Sequence, residues 1–251
     1  MTKFWRMLGF GKTLSQTSKY NKKPDWQAKR IELADVAEKI PNGSNITIGS
    51  TSATAHATLA AIVKDESLVD INILQFIVGG DQPHLGEHPN RFRTTTNFAF
   101  DKALQKIRQG IADYVPVSAS NVNRLFVERL VPVDIAIIKV TPPNKQGMCN
   151  LGMGVDFTRE SVMAAKVVIA EVSEYMPWTS GNSLIHTDDI DWWIEHNARL
   201  LTAEELFPKL NKNVLSQPVL TKIAHNVVSE IPDGATLKFD LNIAVNQLVP
   251  F

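Results

Sequence analysis

Cysteine is almost absent: Cys149 is the single one in 251 residues. That excludes an internal disulfide framework and any zinc cluster built on cysteines. Long apolar runs are missing too. None approaches the roughly 18 residues of a membrane span, and no charged segment leads into an apolar one as in an export signal. Net charge is zero, with 26 Lys+Arg against 26 Asp+Glu. Residues 1–24 carry six of the basic groups (Lys3, Arg6, Lys12, Lys19, Lys22, Lys23) and no acid, so the remainder holds 20 basic and 26 acidic residues, a net of −6. Such a remainder offers no broad basic face, and neither nucleic acid nor membrane is an expected partner. The basic, Ser/Thr-bearing opening loosely matches a transit peptide, but a flexible, solvated N-terminus accounts for it as well. A cytoplasmic protein is the expectation, with a mitochondrial one as the alternative.

What is present is alternation. Ala28–Ile40 sets Ile31, Ala34, Ala37 and Ile40 along one helical face before Pro41-Asn42-Gly43-Ser44 ends it. Asn45–Ile48 reads as a strand, followed by a small-residue turn at Gly49–Ala53 and a helix through Lys64. Val69–Val78 is a nearly unbroken β-rich run closing on Gly79-Gly80, as expected of a strand buried on both faces of a parallel sheet. Helix Phe100–Gln109, strand Tyr114–Val117, helix Asn121–Leu130 and strand Val133–Val140 follow. A Pro/Gly loop (Thr141–Gly154) leads to a helix near Phe157–Ala164 and strand Lys166–Val172. This order predicts a three-layer α/β domain with a mostly parallel sheet. Ligands of such sheets sit beyond the carboxyl ends of the strands, so the loops after Ile48, Val78, Val140 and Val172 are the region of interest. Beyond Gly181 the chain turns polar, with Trp192-Trp193. Ala203–Leu210 and Val219–Val228 look helical, and Ala235–Leu241 looks like a strand without the helix that should follow it. The expected division is a flexible basic segment (1–24), an α/β domain (25–210), and a connecting helix with the start of a second α/β domain (211–251).

No motif supplies a complete catalytic set. His84-Leu85-Gly86-Glu87-His88 spells H-x-x-E-H, which binds zinc only on a helix, and Pro83, Gly86 and Pro89 oppose one; no metal site is expected. Gly152-Met153-Gly154 is not a dinucleotide fingerprint. Cys149 has no adjacent base or cation to make it a thiolate, and an inert buried thiol suits it better. His186 reads as a general acid or as a hydrogen-bonded structural histidine. The acids around Trp192-Trp193 argue against stacking on a phosphate-rich ligand and favour packing at a contact.

Three stretches, taken in order, resemble the N-terminal domain of the acetyl-CoA hydrolase/CoA-transferase family, which includes 4-hydroxybutyrate and succinyl-CoA:acetate CoA-transferases. Gly110-Ile111-Ala112-Asp113-Tyr114-Val115-Pro116-Val117 is like the family's G-x-A-D-Y-x-P. Val133–Ile138 through Asn150-Leu151-Gly152 is like D-V-A-L-I and its following Gly-rich loop. Ala164–Val172, continuing to Met176-Pro177, Gly181 and Ile185-His186, is similar to A-A-x-x-V-I-A-E-V-N-x-x-M-P-x-T-x-G. The resemblance spans roughly residues 28–238. It implies a CoA-transferase-like (NagB/RpiA-like) fold, coenzyme A and acyl-CoA as substrates without a metal, and a small carboxylate as acceptor. It further implies that a glutamate of a C-terminal domain attacks the thioester, while the N-terminal domain walls the opposite side of the cleft. On this resemblance the chain stops before that glutamate, so a C-terminal CoA-transferase domain, or self-association, is the expected partner.

The cleft-facing candidates, from strand ends and family motifs, are Gly49, Ser50, Thr51, Gly79, Gly80, Asn144, Gly147, Asn150, Met176, Pro177 and Gly181; no residue of the chain is assigned catalysis. Departures from the family pattern are also present. Asp240 and Asn242 stand where the second domain's opening T-L-Q-x-G-x-G has glycines. Asn144 and Gln146 replace Asp and His, and Ser173 replaces Asn. The lost glycines leave a second reading open, a non-catalytic remnant acting as a binding or assembly module. Hydrolysis by Cys149 or His186 is a third.

Overall fold

The computed structural model describes residues 26–86, 90–208 and 217–237. They fall into two compact units that divide between Leu201 and Thr202. The first unit is built on strands β1 (Asn45–Ile48), β2 (Ile71–Gln75), β3 (Phe92–Thr96), β4 (Ala112–Tyr114), β5 (Ile135–Val140), β6 (Met148–Asn150), β7 (Val167–Val172), β8 (Leu184–His186) and β9 (Trp192–Glu195). Seven of these form one sheet in the order β4-β3-β2-β1-β5-β7-β9, every pairing parallel. β6 and β8 make a separate antiparallel pair.

Alternation along each strand feeds two cores. Ile46, Ile48, Ile71, Ile73, Ile135, Ile137 and Ile169 face helix α1 (His56–Lys64), which contributes Leu59 and Ile62. Ala136, Ile138, Val140, Val168, Ala170 and Val172 face the opposite layer. That layer holds Val122 and Phe126 of α3 (Val122–Val127), Val162 of α4 (Thr158–Ala164), and Cys149, Leu151 and Ile185 around the β6–β8 pair. Helix α2 (Asp101–Arg108) precedes β4. The result is an α/β sheet covered on both faces, which is why β5 has no exposed position at all.

Several sequence expectations shift. The Ala28–Ile40 helix is instead two 3₁₀ turns, Gln27–Lys29 and Leu33–Lys39, separated by extended backbone. The cause is edge capture: Arg30 bridges to Trp193, and Ile31 N–H donates to Trp193 O at 2.8 Å. Ala34 is consequently exposed, and Val36 is buried in its stead. β3 is absent from the sequence expectation because Phe-Arg-Thr-Thr-Thr carries little apolar character, yet Phe92, Thr94 and Thr96 are buried. β4 covers Ala112–Tyr114 rather than Tyr114–Val117, and β9 lies in the stretch read as polar.

The second unit contains α5 (Ala203–Leu206), opened by a capping box between Thr202 and Glu205, and α6 (Gln217–Val228). The expected strand Ala235–Leu241 shows no strand pairing at 235–237, and its remaining residues lie outside the described ones, as do residues 1–24. Among the described residues no helix is long and apolar enough to cross a membrane.

At the amino edge of the sheet one carboxylate binds three strands. Asp134 accepts from Asn45 N–H at 2.8 Å, from the Asn45 amide at 3.2 Å and from Lys166 Nζ at 2.8 Å. Burial pushes its carboxyl up, but the bonds from Asn45 and Lys166 outweigh burial and hold it below the usual carboxylate range. Its contribution is therefore present at neutral pH and lost as pH falls through the folded-state value. Asp134→Ala is expected to cost about 2 kcal/mol, or roughly 4–8 °C in Tm. Thermal unfolding of both proteins from neutral to acid pH checks this, with the gap closing in acid.

Candidate functional site

The sheet order places a reversal between β1 and β5. From β1 the chain proceeds outward through β2, β3 and β4, then returns to β5 on the other flank of β1. Loops leaving the carboxyl ends of β1 and β5 therefore diverge, and a crevice opens between them.

The turn after β1 is closely determined. A Cβ on Gly49 would lie 2.6 Å from the Ala53 carbonyl oxygen, and one on Gly154 would lie 2.3 Å from the Ala53 Cβ. Only hydrogen at those two positions lets the turn close and the 151–154 loop press against it. Thr54 Oγ1 donates to Gly49 O at 2.8 Å, and Thr51 N–H donates to Ile77 O at 2.8 Å. Thr51 sits at φ +51°, in the left-handed region that a β-branched residue enters only under constraint.

Ser50 and Asp156 meet across the crevice, Ser50 Oγ donating to Asp156 Oδ2. The other carboxylate oxygen of Asp156 accepts from Thr158 N–H at 3.2 Å and Thr158 Oγ1 at 2.9 Å. Desolvation by the surrounding protein outweighs these bonds and pushes the Asp156 carboxyl up, although the residue retains exposed surface. Beside it lies a recess of about 250 Å³, lined by Phe76, Ala119, Ser120, Val122, Asn123, Asp156 and Phe157. Its walls combine an apolar floor with a few polar groups, the composition of a site for a small ligand.

Residues 14–203 match the family model described as the acetyl-CoA hydrolase/transferase N-terminal domain. The chain belongs to this family. It is 31% identical over 228 residues to the 4-hydroxybutyrate coenzyme A transferase of Clostridium kluyveri, covering 90% of this chain and 51% of that one. It is likewise 31% identical over 202 residues to a succinyl-CoA:acetate/propanoyl-CoA:succinate CoA transferase of Fasciola hepatica, covering 79% and 41%. RipA from Yersinia pestis superimposes with a TM-score of 0.79 at 25% identity, over 90% of this chain and 55% of that one. The chain thus spans about half the length of the relatives it matches.

In this acetyl-CoA hydrolase/transferase N-terminal domain the residues proposed from sequence separate into groups. Gly49, Ser50 and Thr51 form the turn at the crevice, and the loop bearing Gly79 and Gly80 is joined to it through the Thr51–Ile77 bond. Gly80 packs beside His56 and Leu201. Asn150 is fully buried, its amide donating to Thr179 O (2.8 Å) and Ser183 Oγ (3.1 Å) and its oxygen accepting from Gly152 N–H (2.7 Å). It locks two loops together, with Met176 buried against Gly152 and Pro177 exposed beside it. Gly181 is exposed, with open space where a side chain would project. Asn144 and Gly147 belong to the turn that leads into β6. The Asn144 side chain accepts from Gln146 and Met148 N–H, closing that turn, and Gly147 O accepts from Thr187 N–H.

Other candidates lose their chemistry to burial. Cys149 is completely enclosed in the second core, and burial pushes its thiol up, away from the thiolate a nucleophile needs. His186 is buried, its Nδ1 accepts from Asp188 N–H at 3.1 Å to cap the Thr187–Asp189 turn, and burial lowers its pKa. His84 points inward to Gln75 at 2.6 Å, and burial drives it down to about 3. Glu87 and His88 of that motif lie outside the described residues.

Sequence reasoning missed Asp156, Lys139 and Glu171. The last two had a signal: each is a lone charge near the end of an otherwise apolar strand, in Ile-Ala-Ile-Ile-Lys-Val and Val-Val-Ile-Ala-Glu-Val. Thr51 offers a direct check on the constrained turn. Thr51→Gly relieves the left-handed backbone and is expected to raise stability by about 0.5–1 kcal/mol. A lowered denaturant midpoint would contradict the strain.

Proposed function

We propose that this domain forms one wall of an acyl-CoA/carboxylate cleft, and that CoA transfer or thioester hydrolysis occurs there once a C-terminal CoA-transferase domain supplies the attacking glutamate. The observation that carries this reading is the constrained Gly49–Thr54 turn at the strand-order reversal, opening beside the Ser50–Asp156 pair and its recess. The turn and recess suit the acyl or carboxylate end of the substrates. Asp156 offers the site a fixed hydrogen-bond acceptor, held in place by Ser50 and Thr158. The apolar walls, Phe76, Val122 and Phe157, would help keep water from the reacting centre once a second domain covers the recess.

In the proposed reaction the glutamate carboxylate attacks the thioester carbonyl, and the C–S bond breaks to give an acyl-glutamyl anhydride and CoA thiolate. The thiolate then attacks the glutamyl carbonyl, releasing the acyl carboxylate and leaving a glutamyl-CoA thioester. An acceptor carboxylate reverses the sequence with a new acyl group, whereas water in its place gives hydrolysis. A carboxylate is a weak nucleophile in water, so a dry, preorganised wall is what this domain contributes.

Met153, Tyr175 and Trp178 are exposed large side chains on the loops that follow β6 and β7. A C-terminal domain is the proposed cover for them, with a second copy of the chain as the alternative; mass in solution separates the two. The loss of glycines at Asp240 and Asn242 favours a second reading, a non-catalytic binding or assembly module. A cytoplasmic location is part of the proposal.

The test is exchange of label between acetate and acetyl-CoA, with free CoA followed in parallel. The chain alone is expected to be inert, and the chain supplied with a relative's C-terminal domain is expected to exchange. Asp156→Ala in that assembly should lose roughly tenfold to a hundredfold of the rate. Full activity of the isolated chain, or an inert assembly that demonstrably forms, would overturn the reading.

A further inference from the structure

Helix α1 covers an aliphatic face of the sheet, yet one position beneath it is ionic. Glu171 of β7 has no exposed surface, and Lys139, its register partner on β5, is 6% exposed. Their charges lie 3.3 Å apart. Replacing a buried ion pair by apolar side chains of similar volume is often neutral or stabilising, so cohesion alone does not call for one here. What a carboxylate adds is direction. Glu171 Oε2 accepts from Thr58 N–H at 3.1 Å and from Thr58 Oγ1 at 2.8 Å, in the first turn of α1. Glu171 Oε1 pairs with Lys139 Nζ by charge and lies 3.5 Å from His196 Nδ1, a close approach without a hydrogen bond.

Each of these three partners belongs to an element that bears on the Gly49–Ala53 turn. Helix α1 begins three residues after the turn, and Thr58 fixes its start. β5 pairs with β1, whose last residue Ile48 leads directly into the turn. His196 opens a strap that runs back along the carboxyl edge from β9. Its backbone N–H donates to Val172 O at 3.1 Å, Ala198 O accepts from Ser173 Oγ at 3.0 Å, and Leu201 O accepts from Ser52 Oγ at 3.0 Å. The strap thus ends on the turn itself. We propose that Glu171 is a positioning residue for the site: one buried carboxylate hydrogen-bonds α1, pairs by charge with β5 and packs against the strap, and thereby holds the Gly49–Ala53 turn in its constrained form. The catalytic consequence rests on the acyl-CoA reading above; the positioning does not.

Glu171→Gln alone leaves Lys139 buried without its countercharge, so the informative variants remove both charges. Lys139→Met with Glu171→Met keeps the volume but deletes every grip. Lys139→Met with Glu171→Gln restores an acceptor for Thr58. Hydrogen exchange is measured on the full chain. In the Met/Met variant, exchange across residues 49–58 is expected to accelerate at least about tenfold while the central strands keep wild-type protection, and the Met/Gln variant is expected to recover most of it. In the assembly with a C-terminal domain, kcat is expected to fall roughly tenfold to a hundredfold in Met/Met, with KM for acetyl-CoA little changed and partial recovery in Met/Gln. Unchanged exchange at 49–58, or acceleration spread evenly over the domain, overturns the proposal. Should the wild-type assembly prove inert, the acyl-CoA reading fails, and the exchange measurement still decides whether Glu171 positions the turn.

Discussion

The parallel pairing of β1 with β5 is the contact on which the site depends. Ile46, Thr47 and Ile48 register against Ile135, Ala136 and Ile137, residues separated by some ninety positions in the chain. Because β2, β3 and β4 intervene in sequence yet lie on the other flank of β1, the loops leaving these two neighbouring strands part company at the carboxyl edge. The crevice is thus a consequence of chain order, and the aliphatic side chains beneath it keep it rigid. Burial of each isoleucine there is worth about 1.5–3 kcal/mol, so the pairing does not shift to accommodate the strained turn above it. Thr51 is the residue that yields.

Chemistry on this scaffold is confined to the strand ends. The central strands are largely aliphatic, with Thr47 and Asn72 as exceptions, whereas the carboxyl-terminal turns and the last positions of the strands hold Ser50, Gln75, Lys139 and Glu171, all buried. Burying such groups is costly unless they are partnered, and several of their partners come from loops and from α1. Glu171 with Thr58, Ser50 with Asp156 and Asn150 with Thr179 and Ser183 are instances. The loops are therefore fixed by polar contacts where the core is fixed by packing. This division would suit the cleft wall proposed above, which has to keep a defined shape.

How much of this was readable in the chain depended on the kind of signal. Aliphatic runs interrupted by a single charge announced β5 and β7, because strands buried on both faces are built mainly from apolar side chains. β3 escaped because threonines occupy its buried positions, and β9 because its tryptophans stand among acids. The 28–40 helix failed for a tertiary reason: an edge strand captured Arg30 and Ile31, and helical periodicity carries no information about that. At the site, Gly49–Thr51 was legible from its place after a strand. Asp156 was not, since its meeting with Ser50 spans 106 residues of sequence. Lys139 and Glu171 were visible as charges out of place, but only the fold shows that they face each other.

The most direct measurement is a crystal structure of the chain assembled with a C-terminal CoA-transferase domain and bound to a non-hydrolysable short-chain acyl-CoA analogue. The account predicts the acyl end against the Gly49–Thr54 turn and the recess beside Asp156, with the attacking glutamate reaching it from the other domain. An acyl group seated away from the β1–β5 crevice, with Ser50 and Asp156 remote from it, would contradict the account.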